Sequence, residues 1–367
     1  MSSAYGTAGV DYETLDAAKR WAIELAAGTL ALPAGRGARV LGTSIGEPAT
    51  LLELGGLTLA VVLECLGTKS MIARDVEDVL GLDRWDAVGV DAVAAIVNDL
   101  CCVGALPLTL NAYFATGSAS WYSGSRHRSL VAGWARACEA VGAAWVGGES
   151  PTLSGLLDPG QIDLAGSALG RVPEGGRPWL GRDLEPADEI VVVASSGLHA
   201  NGASLARALA SSADRCPHGW AESLPSGRRF GEAVLDPSVL YPRLVEAISG
   251  AQVPVHYASH VTGHGWRKLM RADRRLGYRL TALPEVPEVL AFMVERAGLD
   301  AREAYGTFNM GAGFALFVAA GAGEAAVAAS RGAGYEAMLA GRVEAGERRV
   351  VIEPIGVTYD ASELDVR

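Results

Sequence analysis

Cysteine is sparse and unpatterned in this chain. The five present, Cys65, Cys101, Cys102, Cys138 and Cys216, are odd in number and show no CxxC spacing. That excludes a disulfide framework and a cysteine-based zinc site and leaves buried thiols as the expectation. Basic charge is in deficit: 31 Lys and Arg against 42 Asp and Glu give a net charge of −11, which repels polyanions and disfavours nucleic acid as a partner. No apolar run approaches the ~18 residues of a membrane span, and the opening residues show no basic segment before an apolar core. A cytoplasmic protein with no membrane partner is therefore expected. Short-period repeats and low-complexity tracts are also missing, and the 46 glycines follow no triplet period, which excludes a collagen-like chain.

What is present is enough apolar mass for about two domains: 367 residues, 50% hydrophobic and 20% charged. Short β-branched runs alternate with stretches of helical period. LTLAVVLE (57–64), LTLNAYFA (108–115) and WVGGESPT (145–152) read as strands, while DAVAAIVNDLCCVGA (91–105) and RHRSLVAGWARACEAVGA (126–143) read as helices. A second series runs from EIVVVAS (189–195) through the helix-like NGASLARALA (201–210) to GFALFVAA (313–320) and RRVVIEPI (348–355). The pattern predicts an α/β, α+β-layered protein of two domains, 1–176 and 177–367, joined within the Pro/Gly-rich stretch 173–189. The polar stretch 211–233 reads as a surface excursion of the second domain.

Chemistry-bearing residues gather at strand ends, where ligands meet open sheets. Glu64 closes a strand and leads into the turn Gly67-Thr68-Lys69. Glycine lets backbone N–H groups approach phosphate oxygens, Thr68 adds a hydroxyl and Lys69 a mobile cation, although this is not the GxxxxGK[ST] loop. Asp91 is expected at a helix N-cap, with Asn98 and Asp99 two turns on. Asp99 lies in so apolar a segment that burying it alone costs roughly 2–7 kcal/mol, which a Mg²⁺–nucleotide site or a structural partner offsets. Glu149 and Asp163 end further strands, either as turn carboxylates or converging on a divalent ion. In SSGLHANGASL, His199 and Asn201 occupy a glycine-flanked turn ahead of a helix, a setting suited to an anion. His256, His260 and His264 recur every four residues, but Thr262-Gly263-His264-Gly265 interrupts a helix, so His260 reads as a second substrate-site histidine. The basic run from Arg267 to Arg279 reads as a solvated helix face.

Taken in order, AGVD (8–11), GTK (67–69), GVDAVAAIVNDL (89–100), YFATG (113–117), GGES (147–150), IDLAGSALG (162–170), SSGLHANGASL (195–205), SHVTGHG (259–265) and TFNMGAGFAL (307–316) form a specific set. The chain resembles the aminoimidazole ribonucleotide synthetases, or phosphoribosylformylglycinamidine cyclo-ligases, from about Tyr5 to past Val351. The resemblance implies a PurM-like fold whose N-terminal sheet pairs with a second copy into a dimer-spanning barrel. It implies a homodimer with ATP and Mg²⁺ near the junction and a small ribonucleotide substrate. It also implies an ATP-dependent ligase reaction: phosphorylation of the formyl amide oxygen, then ring closure by the substrate's own nitrogen. Carried over, Gly67, Thr68 and Lys69 contact phosphates, and Asp91, Asn98, Asp99 and Glu149 serve Mg²⁺–ATP, with Glu64, Asp91 and Glu149 toward the metal. His199, Asn201, His260, Thr262 and His264 meet the substrate, with Lys69, His199 and His260 as the catalytic set.

Two departures stand out. Glu64-Cys65-Leu66 replaces the family's Asp-Gly-Val, and His264 stands where the family has glycine. They mark a divergent branch and keep two alternatives open, an amide-activating enzyme with another substrate and a non-catalytic nucleotide-binding paralogue. Selenophosphate synthetase and the hydrogenase-maturation relative fit less well, because no cysteine precedes Cys65 or follows Cys216.

Overall fold

In the computed structural model, which describes residues 21–364, the chain builds two mixed sheets; the AGVD segment lies outside the described residues. The first sheet holds β1 (Ala38–Val40), β2 (Thr50–Leu54), β3 (Leu57–Cys65), β4 (Leu106–Thr116), β5 (Ala144–Glu149) and β6 (Ile162–Arg171), in the order β1-β2-β3-β6-β4-β5. Only β4 and β5 pair in parallel, and a helical crossover joins them, as parallel pairing requires. Burial along β3 alternates: Ala60 and Val62 are buried while Val61 and Leu63 are 45% and 75% exposed. The buried face packs under three helices, α1 (Lys69–Leu80), α2 (Trp85–Cys102) and α3 (Ser125–Ala140).

Asp91 is not an N-cap. Helix α2 starts at Trp85, whose N–H donates to Asp83 Oδ1 (3.0 Å), because WDAVGV already extends the apolar stripe. Gly89 sits inside it for a packing reason: a Cβ there would lie 2.3 Å from the Leu130 oxygen of α3. Close helix crossing offsets the ~1 kcal/mol that glycine costs within a helix.

The second sheet holds β7 (Glu189–Ala194), β8 (Val255–His260), β9 (Leu276–Leu280), β10 (Ala312–Val318), β11 (Ala337–Ala345), β12 (Arg349–Ile352) and β13 (Val357–Asp360), in the order β13-β12-β9-β11-β7-β10-β8. Strand β10 lies between β7 and β8 and is buried at every residue, which is why its sequence is continuously apolar rather than alternating. Its helices are α4 (Ala203–Ala210), α5 (Phe230–Val234), α6 (Pro242–Gly250), α7 (Glu288–Ala297), α8 (Ala301–Thr307) and α9 (Gly323–Gly332).

Two expectations are corrected here. Stretch 211–233 is no mere surface excursion: Cys216, Trp220, Leu224 and Phe230 are buried, and a Cβ on Gly231 would meet Val76 of α1 at 2.7 Å. Its aromatic residues supply the core contacts that its polar composition concealed. The basic run is not a solvated helix face but a 3-10 turn (Gly265–Met270) leading into β9. Arg267 donates to Gly306 O and Arg274 to Gly181 O, while Arg279 pairs with Glu344 and Glu353. Among the described residues no helix is long and apolar enough to cross a membrane.

Candidate functional site

The turn after β3 turns the chain from strand to helix through Gly67, at φ 73°, a left-handed conformation natural to glycine. Lys69 opens α1 and points inward: Nζ lies 2.6 Å from Asp91 Oδ2, and both side chains are wholly buried. The same ammonium donates to Asp236 O (3.2 Å), and Ser238 donates to Asp91 Oδ1 through its N–H (2.8 Å) and hydroxyl (2.5 Å). Burial pushes the Asp91 carboxyl up, against the lowering pull of Lys69 and Ser238. Two helix turns along α2, Asn98 Nδ2 donates to Val239 O (2.8 Å) and Asn98 Oδ1 accepts from the Tyr241 N–H (2.9 Å). Lys69, Asp91 and Asn98 thus fasten segment 236–241, which belongs to the second sheet's half, onto the helices of the first.

Beside this junction a cleft of about 380 Å³ opens between the two halves, within the usual range for small-ligand sites. Glu64, Asn98 and Asp99 line it from one side; His199, Asn201, His260 and Thr262 line it from the other. His260 ends β8 and its Nδ1 is 3.1 Å from Asp99 Oδ1. A carboxylate accepts only, so His260 carries its hydrogen on Nδ1 and presents Nε2 as a hydrogen-bond acceptor.

His199 is set the opposite way. It occupies a left-handed conformation (φ 57°) in the turn between β7 and α4. Its Nε2 accepts from the N–H groups of Ser196 (3.2 Å) and Val239 (3.4 Å), which assigns its hydrogen to Nδ1. Burial, then the neighbouring His260 and Lys69, hold this ring well below the ordinary histidine range. It is neutral and a fixed donor at neutral pH. The rings lie 6.5 Å apart, and neither His199 Nδ1 nor His260 Nε2 has a hydrogen-bond partner among the described residues. A buried donor and a buried acceptor side by side fit a polar ligand presenting both functions.

Most of the site residues expected from sequence meet in this cleft: Glu64, Asn98, Asp99, His199, Asn201, His260 and Thr262. Lys69 and Asp91 do not line it; they lie behind Ser238, in the core. Thr68 is the N-cap of α1, and His264 (φ 71°) caps the 3-10 turn outside the cleft wall. Glu149 sits at the exposed end of β5, apart from the rest. Glu64, Asp91 and Glu149 therefore do not converge, and among the described residues no three His, Cys, Asp or Glu are arranged to hold a metal. Glu64 and Asp99 still fit an ion brought in by a nucleotide, since Mg²⁺ needs only one or two protein carboxylates when phosphates supply the rest. Four cysteines are buried as expected, but Cys65 is exposed, because it falls on the open side of β3.

Sequence reasoning missed Glu47, Ser238, Lys268 and Arg271, which also line the cleft. For the two cations a signal existed: Gly265, Lys268 and Arg271 are spaced by three, the period at which a 3-10 turn stacks residues on one face.

Comparison with known proteins supports the family resemblance. Residues 46–172 match the AIR synthase related protein N-terminal domain, and residues 185–353 the corresponding C-terminal domain. The chain is 34% identical to the phosphoribosylformylglycinamidine cyclo-ligase of Methanothermobacter thermautotrophicus, over 76% of this chain and 78% of that one. It is 38% identical to the enzyme of the same name from Anaeromyxobacter sp. strain Fw109-5, over 79% and 81%. Among solved structures it resembles the hydrogenase maturation protein HypE in complex with ATP, with a TM-score of 0.56 at 20% identity over 82% and 83%; this likeness speaks to the fold alone.

Proposed function

The chain belongs to the AIR synthase related family, and from that membership we propose that it is a phosphoribosylformylglycinamidine cyclo-ligase of purine biosynthesis. What carries the reading is that relatives of that name match most of both chains at 34–38% identity. The Asp99–His260 pair beside the fixed donor His199 supports it chemically.

An amide oxygen is a poor leaving group. In the proposed reaction that oxygen takes the γ-phosphoryl group of ATP, and ADP departs with the electron pair of the broken P–O bond. The substrate's own nitrogen then forms the C–N bond, and the C–O bond breaks as phosphate carries the oxygen away. Holding both ends of one substrate in the cleft makes this second step intramolecular. His260 Nε2 accepts the proton of the attacking nitrogen, and Asp99 stabilises the imidazolium that results. His199 Nδ1–H donates toward the oxygen side and stays neutral throughout. Glu64 and Asp99 would hold a magnesium ion arriving with the nucleotide, which would supply charge neutralisation on the phosphates.

We further take 1–176 and 177–367 as the two domains, the location as cytoplasmic and the assembly as a homodimer. Val61 and Leu63 on the open face of the first sheet support the last point, because apolar strand faces are normally covered. An amide-activating enzyme with another substrate is the second reading, favoured by the two cations in the cleft that the family resemblance did not include. One assay separates them: purified protein with Mg²⁺–ATP and formylglycinamidine ribonucleotide forms ADP and aminoimidazole ribonucleotide in equal amounts. ATP bound without product moves the assignment to a different amide or to a binding role.

A further inference from the structure

Of the basic run at 267–279, only Lys268 and Arg271 line the cleft. The 3-10 turn that carries them puts both on one face. Their situations differ. Arg271 is committed to the opposite half, with Nε (3.2 Å) and Nη2 (2.7 Å) both donating to Gly46 O. Lys268 is half-buried and hydrogen-bonds Thr262 Oγ1; an ammonium has three donors, so this bond leaves others for a ligand. Burial and the Arg271 charge both work to lower the ammonium's proton affinity, while Asp99 and Glu64 raise it. A further negative charge arriving from a ligand is favoured at such a point, since it relieves the repulsion between the two cations.

We propose that Lys268, with Thr262 beside it and Arg271 behind it, is the oxyanion anchor of the cleft: it takes phosphoryl oxygens of a bound reactant a short way from His260. The inference rests on the cleft being the reacting site but not on the identity of the amide. It separates this chain from a protein that relies on the Gly67-Thr68-Lys69 turn for phosphate, because here Lys69 is spent on Asp91.

Two sources of phosphoryl oxygen fit, the group transferred from the nucleotide and the phosphate ester of a ribonucleotide. Lys268→Met removes the charge at nearly constant length, and Lys268→Arg restores a cation. The first measurement is the thermal shift of the full chain on titrating inorganic phosphate, with circular dichroism to verify folding. Phosphate is expected to stabilise the wild type and Lys268→Arg, and to bind Lys268→Met roughly ten- to hundredfold more weakly. Equal phosphate affinity in the wild type and Lys268→Met, or no shift in the wild type, overturns the proposal.

Kinetics then names the source. If the transferred group is held, Lys268→Met lowers kcat and leaves the KM for ribonucleotide nearly unchanged; if the ester is held, that KM rises with kcat nearly unchanged. Unaltered kcat and KM in an active, folded Lys268→Met also overturn it. A wild type that fails to turn over formylglycinamidine ribonucleotide yet binds phosphate through Lys268 sinks the cyclo-ligase reading and leaves the anchor standing.

Discussion

Replacing Lys69 by methionine removes the ammonium that meets Asp91 at 2.6 Å in a fully buried pair, while keeping an unbranched side chain in its place. A lysine that only contacted phosphate would matter to turnover and not to the fold; the burial of Lys69 makes loss of stability the expected outcome. Breaking a buried pair strands the other charge and costs about 3–5 kcal/mol, a large share of the ~5–15 kcal/mol that a protein has in reserve. For a 367-residue chain that melts as one unit, an unfolding entropy of ~2.1 cal/mol/K per residue gives about 1.3 °C per kcal/mol, so the melting midpoint drops by roughly 4–7 °C. The deficit also depends on pH. Without the ammonium, only the Ser238 hydrogen bonds still oppose burial, and the Asp91 carboxyl rises further above the unfolded value of about 4. A raised folded pKa means stability that is present in acid and lost as pH rises, so Lys69→Met comes nearest the wild type at low pH and falls behind as pH increases. The assay is thermal melting of the wild type, Lys69→Met, Asp91→Leu and the double variant across pH. The double variant is expected to lose less than either single one, because no charge is left unpaired. A Lys69→Met protein that melts within about 2 °C of the wild type at every pH would refute the reasoning and return Lys69 to the set of available phosphate ligands.

Asp99→Asn keeps the shape of the His260 contact but removes the charge and frees the tautomer, so kcat is expected to fall about 10²–10⁴-fold with melting little changed; a normal rate removes the pair from catalysis. His264→Gly relieves a positive φ outside the cleft wall and is expected to leave activity unchanged and stability level or up to ~1 kcal/mol higher in denaturant titration. Gly89→Ala forces α2 away from α3, where the added Cβ would meet the Leu130 oxygen at 2.3 Å. A loss of about 1–3 kcal/mol is expected, and an unchanged denaturation midpoint disproves that close crossing.

Strands were the most legible part of the fold. LTLAVVLE, EIVVVAS and GFALFVAA fall on β3, β7 and β10, since β-branched and apolar runs bounded by turns leave little else to form. Helix starts were less so: Asp91 looked like a cap because Gly89 and Val90 precede it, whereas only the neighbouring helix explains that glycine. In the site, His199, His260, Asp99, Asn98 and Asn201 were recognisable because each stands in a turn or an apolar segment where its polarity needs a reason. Lys69 misled for the same cause. A lysine in a strand-end turn is equally suited to a phosphate or to a carboxylate, and the choice depends on Asp91, 22 positions away in sequence and adjacent only in space. Lys268 and Arg271 were hidden among cations that serve as struts to backbone oxygens, and Ser238 in a Pro-containing loop whose role is set by the helix it lands on.

Segment 236–241 has a consequence for how this protein comes apart and how it can be rebuilt. Because it is fastened beneath α1 and α2 through Lys69, Asp91 and Asn98, neither half can melt without exposing charged or amide groups of the other. A single cooperative transition is thus built into the junction, and any ligand that spans the cleft raises the midpoint of both halves together by mass action. The same fastening limits recombination with relatives: a chimaera that takes α1 and α2 from one parent must take residues 236–241 from that parent too, although they lie on opposite sides of the linker.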